Sequence, residues 1–136
     1  MTKNEMSAVT EKWLHSKGFI KNEDIFVREL EGFDVCVMFV KERFWNAYYF
    51  SVGFQLKGDE DAWGHVRTNL KGAERYEYAN WSKEDYISSL EEMHAVYIQP
   101  YFDLGFEMLM KIIKKQKFKG EQYLIHGNAI EKISKM

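Results

Sequence analysis

Proline is almost missing from this sequence: Pro100 is the only one in 136 residues. With no proline-rich, glycine-rich or low-complexity stretch there is no linker to divide the chain, and 1–136 reads as a single domain. A chain of this length buries roughly two-thirds of its unfolded surface, so it needs no metal or disulfide staple. Cysteine is equally scarce. Cys36 alone excludes an internal disulfide and suits a reducing, cytoplasmic setting. Apolar runs fall far short of the ~18–20 residues a membrane span requires, and Met1-Thr2-Lys3-Asn4-Glu5 lacks the apolar core of a secretory signal. No membrane association is expected. Neither sign of charge dominates, because 19 Lys and Arg face 21 Asp and Glu for a net charge of -2. Such a balance gives no overall pull toward nucleic acid.

Catalytic signatures are missing too. The four histidines, His15, His65, His94 and His126, have no second His or Cys at a metal-ligand spacing, so no metal or cofactor is expected. Asp59-Glu60-Asp61 does not follow the calcium-loop pattern and reads as a solvated acidic loop. Cys36 falls among Val35 and Val37, where a thiol acts as a small buried hydrophobe and not a nucleophile. There is no Gly-x-Ser-x-Gly elbow and no glycine-rich phosphate cradle. No residue is assigned a catalytic role, and the balance leans against an enzyme. The five lysines between Lys111 and Lys119 complement a helix C-terminus and would hold phosphate only weakly, so nucleic acid is not an expected partner.

What is present is clear periodicity. Thr2-x-x-Glu5 is a capping box, Met6, Val9, Trp13 and Leu14 repeat at helical spacing, and Gly18 suits a left-handed cap. The first helix therefore runs to about Lys17. The period then changes to two. Strands are expected at 25–30 and 33–43 around a Glu31-Gly32 turn, at 47–57 after a break at Trp45-Asn46, and more weakly at 65–70. Val35, Val37 and Phe39 share one face of the second strand and Cys36, Met38 and Val40 the other, while Phe50, Val52, Phe54 and Leu56 are the apolar set of the next strand. Ser82-x-x-Asp85 starts a second helix carrying Tyr86, Leu90, Met93 and Tyr97, and Pro100 must end or kink it. Phe102, Phe106, Leu109 and Ile113 then predict a core helix, and the 120–136 tail reads as a separate short helix capped by Asn128. His15 and His94 are placed at polar helix margins. Grouped strands followed by grouped helices make this an α+β fold. It comprises an N-terminal helix, an antiparallel meander of three or four strands, then two or three helices packed on one face of the sheet.

The strongest functional signal is aromatic placement. Trp45, Tyr48, Tyr49, Trp63, Tyr76, Tyr78 and Trp81 gather in and beside turns, with His65, Arg67 and Arg75 among them. Tyr, Trp and Arg dominate protein–protein hot spots because they bury a large area while keeping a polar handle. The candidate binding set is Trp45, Tyr49, Trp63, His65, Arg67 and Trp81. A core role competes for many of these rings, and Trp81, just before Ser82, also fits a hydrophobic staple.

The segment Trp13-Leu14-x-x-x-Gly18-Phe19-x-Lys21, the strand Ile25 to Leu30, Trp81 and the break at Pro100 together resemble a widespread bacterial family. It is catalogued as domain of unknown function 4304. The resemblance covers roughly Glu5 to Lys115 and implies a single cytoplasmic α+β domain with no established activity. It transfers no catalytic residues, and the tail after Gly120 lies outside it.

Three classes of function follow. The first is a non-enzymatic protein-binding module with a partner of unstated identity, immunity-type in its specific form. A net charge of only -2 argues against an inhibitor of a basic nuclease. The second is a small-ligand protein or enzyme with a pocket between sheet and C-terminal helices, its polar groups drawn from His65, Arg67 and Asp59 to Asp61. The third is a homodimer formed through an exposed third strand or the Ile-rich tail.

Overall fold

The computed structural model describes residues 1–57, 66–69, 75–111 and 123–125, with 66–69 and 123–125 as strand backbone. Helix α1 spans Lys3–Ser16. Thr2 Oγ1 accepts from the Glu5 amide at 3.1 Å, and a Glu5 carboxylate oxygen accepts from the Thr2 amide at 3.2 Å. At the other end Gly18 has φ +89. Its amide reaches His15 O, and the Phe19 amide reaches Leu14 O, both at 3.0 Å. These are the paired bonds that close a helix through a left-handed glycine.

Among the described residues seven strands form the sheet: β1 (Ile20–Asn22), β2 (Ile25–Glu29), β3 (Phe33–Lys41), β4 (Ala47–Leu56), β5 (Val66–Asn69), β6 (Tyr76–Glu77) and β7 (Tyr123–Ile125). Their order is β1-β2-β3-β4-β5-β7, every pairing is antiparallel, and β6 also pairs with β4. The α+β class holds, with more strands than the meander of three or four read from sequence. The additional ones, β1, β6 and β7, have two or three residues each, too few for a period to register. Part of the 120–136 tail is therefore strand; the rest lies outside the described residues. Strand β4 is no exposed edge, since β3 pairs along one side while β5 and β6 share the other. That removes the third strand as a dimerisation edge.

The β3–β4 ladder orders the core. Phe33, Val35, Val37 and Phe39 stand opposite Leu56, Phe54, Val52 and Phe50. One helical layer covers this face. Met6, Trp13 and Leu14 of α1 join Tyr86, Leu90 and Met93 of helix α2 (Lys83–Met93), together with Ile98, Tyr101 and Leu109. The opposite face of the ladder carries Asp34, Cys36, Met38 and Val40 against Gln55, Gly53, Ser51 and Tyr49.

The helical run is interrupted near Pro100, as expected: α2 gives way to a π-helical turn, His94–Ile98, and α3 (Gln99–Leu104) follows with the proline in its first turn. Proline's fixed φ suits a position in a first helical turn. Two departures come from the C-terminal helices. The expected run through Phe102 and Phe106 breaks, because Gly105 (φ +56) separates α3 from helix α4, which starts at 106 and is described to 111. Phe106 consequently leaves the helical stripe and lies against Phe33, with ring centroids 5.3 Å apart. His94 is buried at 7% exposure, not set at a polar margin. Four residues after buried Leu90, it packs against Trp13, ring centroids 5.8 Å apart and perpendicular, and its Nε2 has no hydrogen-bond partner among the described residues.

Helices α1 and α2 are joined by polar contacts as well. Thr10 Oγ1 donates to Met6 O at 2.7 Å, which leaves the Tyr86 hydroxyl to donate to Thr10 at 2.6 Å. Glu91 accepts from Trp13 Nε1 at 2.9 Å and pairs with Lys17 at 2.7 Å. Arg28 Nη1 donates to Lys17 O at 3.0 Å while its guanidinium lies 4.0 Å from the Phe102 ring centre, tying β2 to α1 and α3.

Two predictions follow from this packing. Gly32 has φ +87, and a Cβ there would overlap the Phe106 ring. Gly32→Ala is expected to lower stability by about 1–3 kcal/mol in urea unfolding, and Phe106→Ala in the same background should relieve part of the additional loss. An unchanged midpoint for Gly32→Ala contradicts that packing. Burial holds the His94 pKa below its ordinary 6.5, and the field of Lys17 lowers it further, against the opposing pull of Glu91 and with a smaller push from Arg28. Since the unfolded chain takes up this proton first, stability should fall as pH drops below about 6.5. His94→Phe, which keeps the ring against Trp13, should flatten the upper part of that decline. The Glu91 carboxyl, held low by Lys17 and Trp13, titrates in a lower range. Parallel profiles for wild type and variant between pH 7 and 5 would remove His94 as the cause.

Candidate functional site

The exposed aromatics concentrate where β3 turns into β4. Phe44 is 84% exposed and Trp45 53% exposed. A turn of polar residues would satisfy the backbone equally well, so two large apolar rings here are not explained by folding. The turn is nevertheless held. The Glu42 amide donates to Ala47 O at 3.0 Å, and the Tyr78 amide donates to Asn46 O at 3.3 Å. Lys41 Nζ donates to the carbonyl oxygens of Glu42 at 2.8 Å and Trp45 at 2.5 Å.

Trp45 is positioned through a second contact. Arg75, just before β6, donates from Nε to Glu42 Oε1 at 2.8 Å, and its guanidinium carbon lies 5.1 Å from the Trp45 ring centre. The Glu42 side chain is only 13% exposed, so the anchor of this pair is largely desolvated. A charge-assisted bond fixes the guanidinium plane, and the guanidinium in turn backs the indole. Arg43 repeats the arrangement more loosely, its guanidinium 5.4 Å from the Phe44 ring centre.

Arg75 also opens a shallow cleft of about 440 Å³ with Glu77, Asn80, Trp81 and Asp85. Trp81 lies beside the N-cap of α2. Ser82 Oγ accepts from the Asp85 amide at 3.2 Å, and the Trp81 and Tyr86 rings meet at 6.3 Å, the geometry of a hydrophobic staple. Its contact with Tyr76, 5.3 Å between centroids, ties the same ring to the sheet. One side of Trp81 is therefore structural, and the half-exposed remainder lines the cleft. Glu77 accepts from Asn80 Nδ2 at 2.6 Å, which shapes the cleft wall. On the other side of the tip Phe26, Phe39 and Tyr48 form the floor of a second groove, about 320 Å³, beside α1.

Of the six candidate residues, the structure brings Trp45 and Trp81 into one region, joined through Arg75. Tyr49 is not part of it, because its register opposite Val40 puts it on the sheet face away from the helices. Arg67 is in β5 at a position paired with Gly53 and Leu124. Trp63 and His65 lie outside the described residues, as do Asp59 to Asp61. Tyr48 and Tyr76, from the wider aromatic set, are core residues. Reasoning from sequence missed Phe44, Arg43 and Glu42. The available signal was a Phe-Trp pair between two strands, in the place where turn residues belong.

Cys36 is buried, and its thiol is pushed up to about 12 by burial and by Asp34, so it is no nucleophile at neutral pH. Among the described residues there is no group of three His, Cys, Asp or Glu side chains able to hold a metal ion. No helix among them is long and apolar enough to cross a membrane. The layer between the sheet and the C-terminal helices, the expected position of a ligand pocket, is filled there by Phe50, Phe54, Tyr86, Leu90, Ile98 and Tyr101. The chain matches no family model, no curated protein and no solved structure.

Proposed function

We propose that this chain is a protein-binding module that docks through the Phe44–Trp45 hairpin tip and the adjoining Trp81 cleft. The observation carrying the reading is that Trp45 is exposed and yet held, by Arg75 on its ring and Lys41 on its carbonyl. Covering Phe44 and Trp45 would contribute on the order of 3–4 kcal/mol each before costs, from apolar area alone. Ordering a side chain at an interface costs roughly 0.5–1.5 kcal/mol, and for Trp45 much of that is already met in the free protein. An immunity-type protein, acting by occluding its partner, is the specific form that suits a small domain with a rigid aromatic projection. A cytoplasmic bacterial setting belongs to the same proposal, supported by the lone Cys36 and the family resemblance around Trp13, Gly18 and Phe19.

The test is retention from lysate on immobilised protein, read by mass spectrometry, for the wild type and the double variant Phe44→Ala/Trp45→Ala. Both rings are exposed, so the melting temperature should move by less than about 3 °C. The wild type is expected to retain one protein near equal stoichiometry, and the variant at least ten times less. Equal retention by both, or retention of a small molecule and no protein, contradicts the proposal.

A further inference from the structure

The docking surface is electrically asymmetric. At the tip, Lys41 and Arg43 flank Phe44 and Trp45, and neither forms an ion pair with a carboxylate among the described residues. In the middle, Arg75 is matched by Glu42 at 2.8 Å and adds little net charge. At the far side the cleft presents Glu77 and Asp85 beside Trp81, with no lysine in its lining. Glu77 accepts from Asn80 and forms no ion pair among the described residues. Asp85 is in the first turn of α2. Arg75 belongs to both halves, so the sequence of features across the surface is cationic, aromatic, then anionic.

From this polarity we infer that the partner presents a segment of matching order: a carboxylate, then one or two large apolar side chains, then a lysine or arginine. The carboxylate meets Arg43, whose planar guanidinium suits two-point recognition of an acid. The apolar residues cover Phe44 and Trp45. The cation enters the cleft against Trp81, with Glu77 and Asp85 beside it, where a ring face and carboxylates attract the same charge. Charges arranged in this way select orientation as well as identity, because a reversed segment sets like charges against each other at both ends. The inference rests on the protein-docking reading and narrows it to one chemistry of partner.

The test is selection of random 12-residue peptides displayed on phage against immobilised full-length protein, with parallel selections on Trp45→Ala, Arg43→Glu and Glu77→Gln/Asp85→Asn. The wild type is expected to enrich peptides with Asp or Glu on one side of an apolar pair and Lys or Arg on the other, at least threefold above the input library. Arg43→Glu should abolish the acidic preference and keep the basic one. Glu77→Gln/Asp85→Asn should do the reverse. Binding of a selected peptide should weaken about tenfold or more between 50 and 500 mM NaCl, as expected for exposed charges. A Trp45-dependent pool with uniform charge, with no charge preference, or with preferences unmoved by the charge variants overturns the inference and leaves the docking surface standing. A pool that ignores Trp45→Ala, or no enrichment, counts against both.

Discussion

The nine-pair ladder between Phe33–Lys41 and Ala47–Leu56 is the interaction on which the rest of this fold depends. Its strict two-residue period places Val35, Val37, Phe50, Val52 and Phe54 on one face, and that face is the floor of the only extensive core among the described residues. A slip of one residue would turn this set away from the helices and bring Cys36, Met38, Ser51 and Tyr49 toward them. Register and core are thus one constraint. Both ends of the ladder are fixed by neighbours: Phe106 closes over Gly32 at one, and β6 extends the pairing beside Ala47 and Tyr48 at the other.

The same ladder explains why an exposed tryptophan can be well placed. Strand β3 delivers Lys41 and Glu42 to the turn, and β4 leaves it at Ala47 with its backbone already bonded to Glu42. The residues between have little freedom left, and Arg75, arriving beside β6, removes more by bonding Glu42 and covering one side of Trp45. The turn thereby projects apolar area from a hydrogen-bonded part of the sheet, at low ordering cost to an interface. Trp81 reaches the same region for a different reason. Its staple with Tyr86 fixes the start of α2, and the packing leaves one edge toward the cleft.

How far the sequence discloses this architecture depends on the length of each signal. The capping box at Thr2, the glycine cap at Gly18, the Gly32 turn and the faces of β3 and β4 were legible because each is a local rule written over several residues. The short strands β1, β6 and β7 were not, since they exist only through pairing with longer neighbours. The stripe from Phe102 to Ile113 misled for a related reason: periodicity is blind to the backbone turn at Gly105, and Phe106 is drawn off to cover Gly32. His94, four residues after Leu90, lies at the edge of the apolar stripe, where periodicity alone does not decide between burial and exposure. Composition identified Trp45, Arg75 and Trp81, but not their grouping. Tyr49 belongs to the opposite face by simple alternation, and the exposure of Phe44 has no periodic signature.

The central claim is that the aromatic tip is as ordered as the ladder carrying it. Native-state amide hydrogen exchange tests this most directly, by comparing the Glu42 amide, bonded to Ala47 O, with amides inside the ladder such as those of Val37 and Val52. The account predicts that Glu42 exchanges within about tenfold of those amides, and that Arg75→Ala speeds it selectively. Exchange of Glu42 at the rate of an unstructured peptide in the wild type would contradict it, because a frayed tip carries no preorganised Trp45.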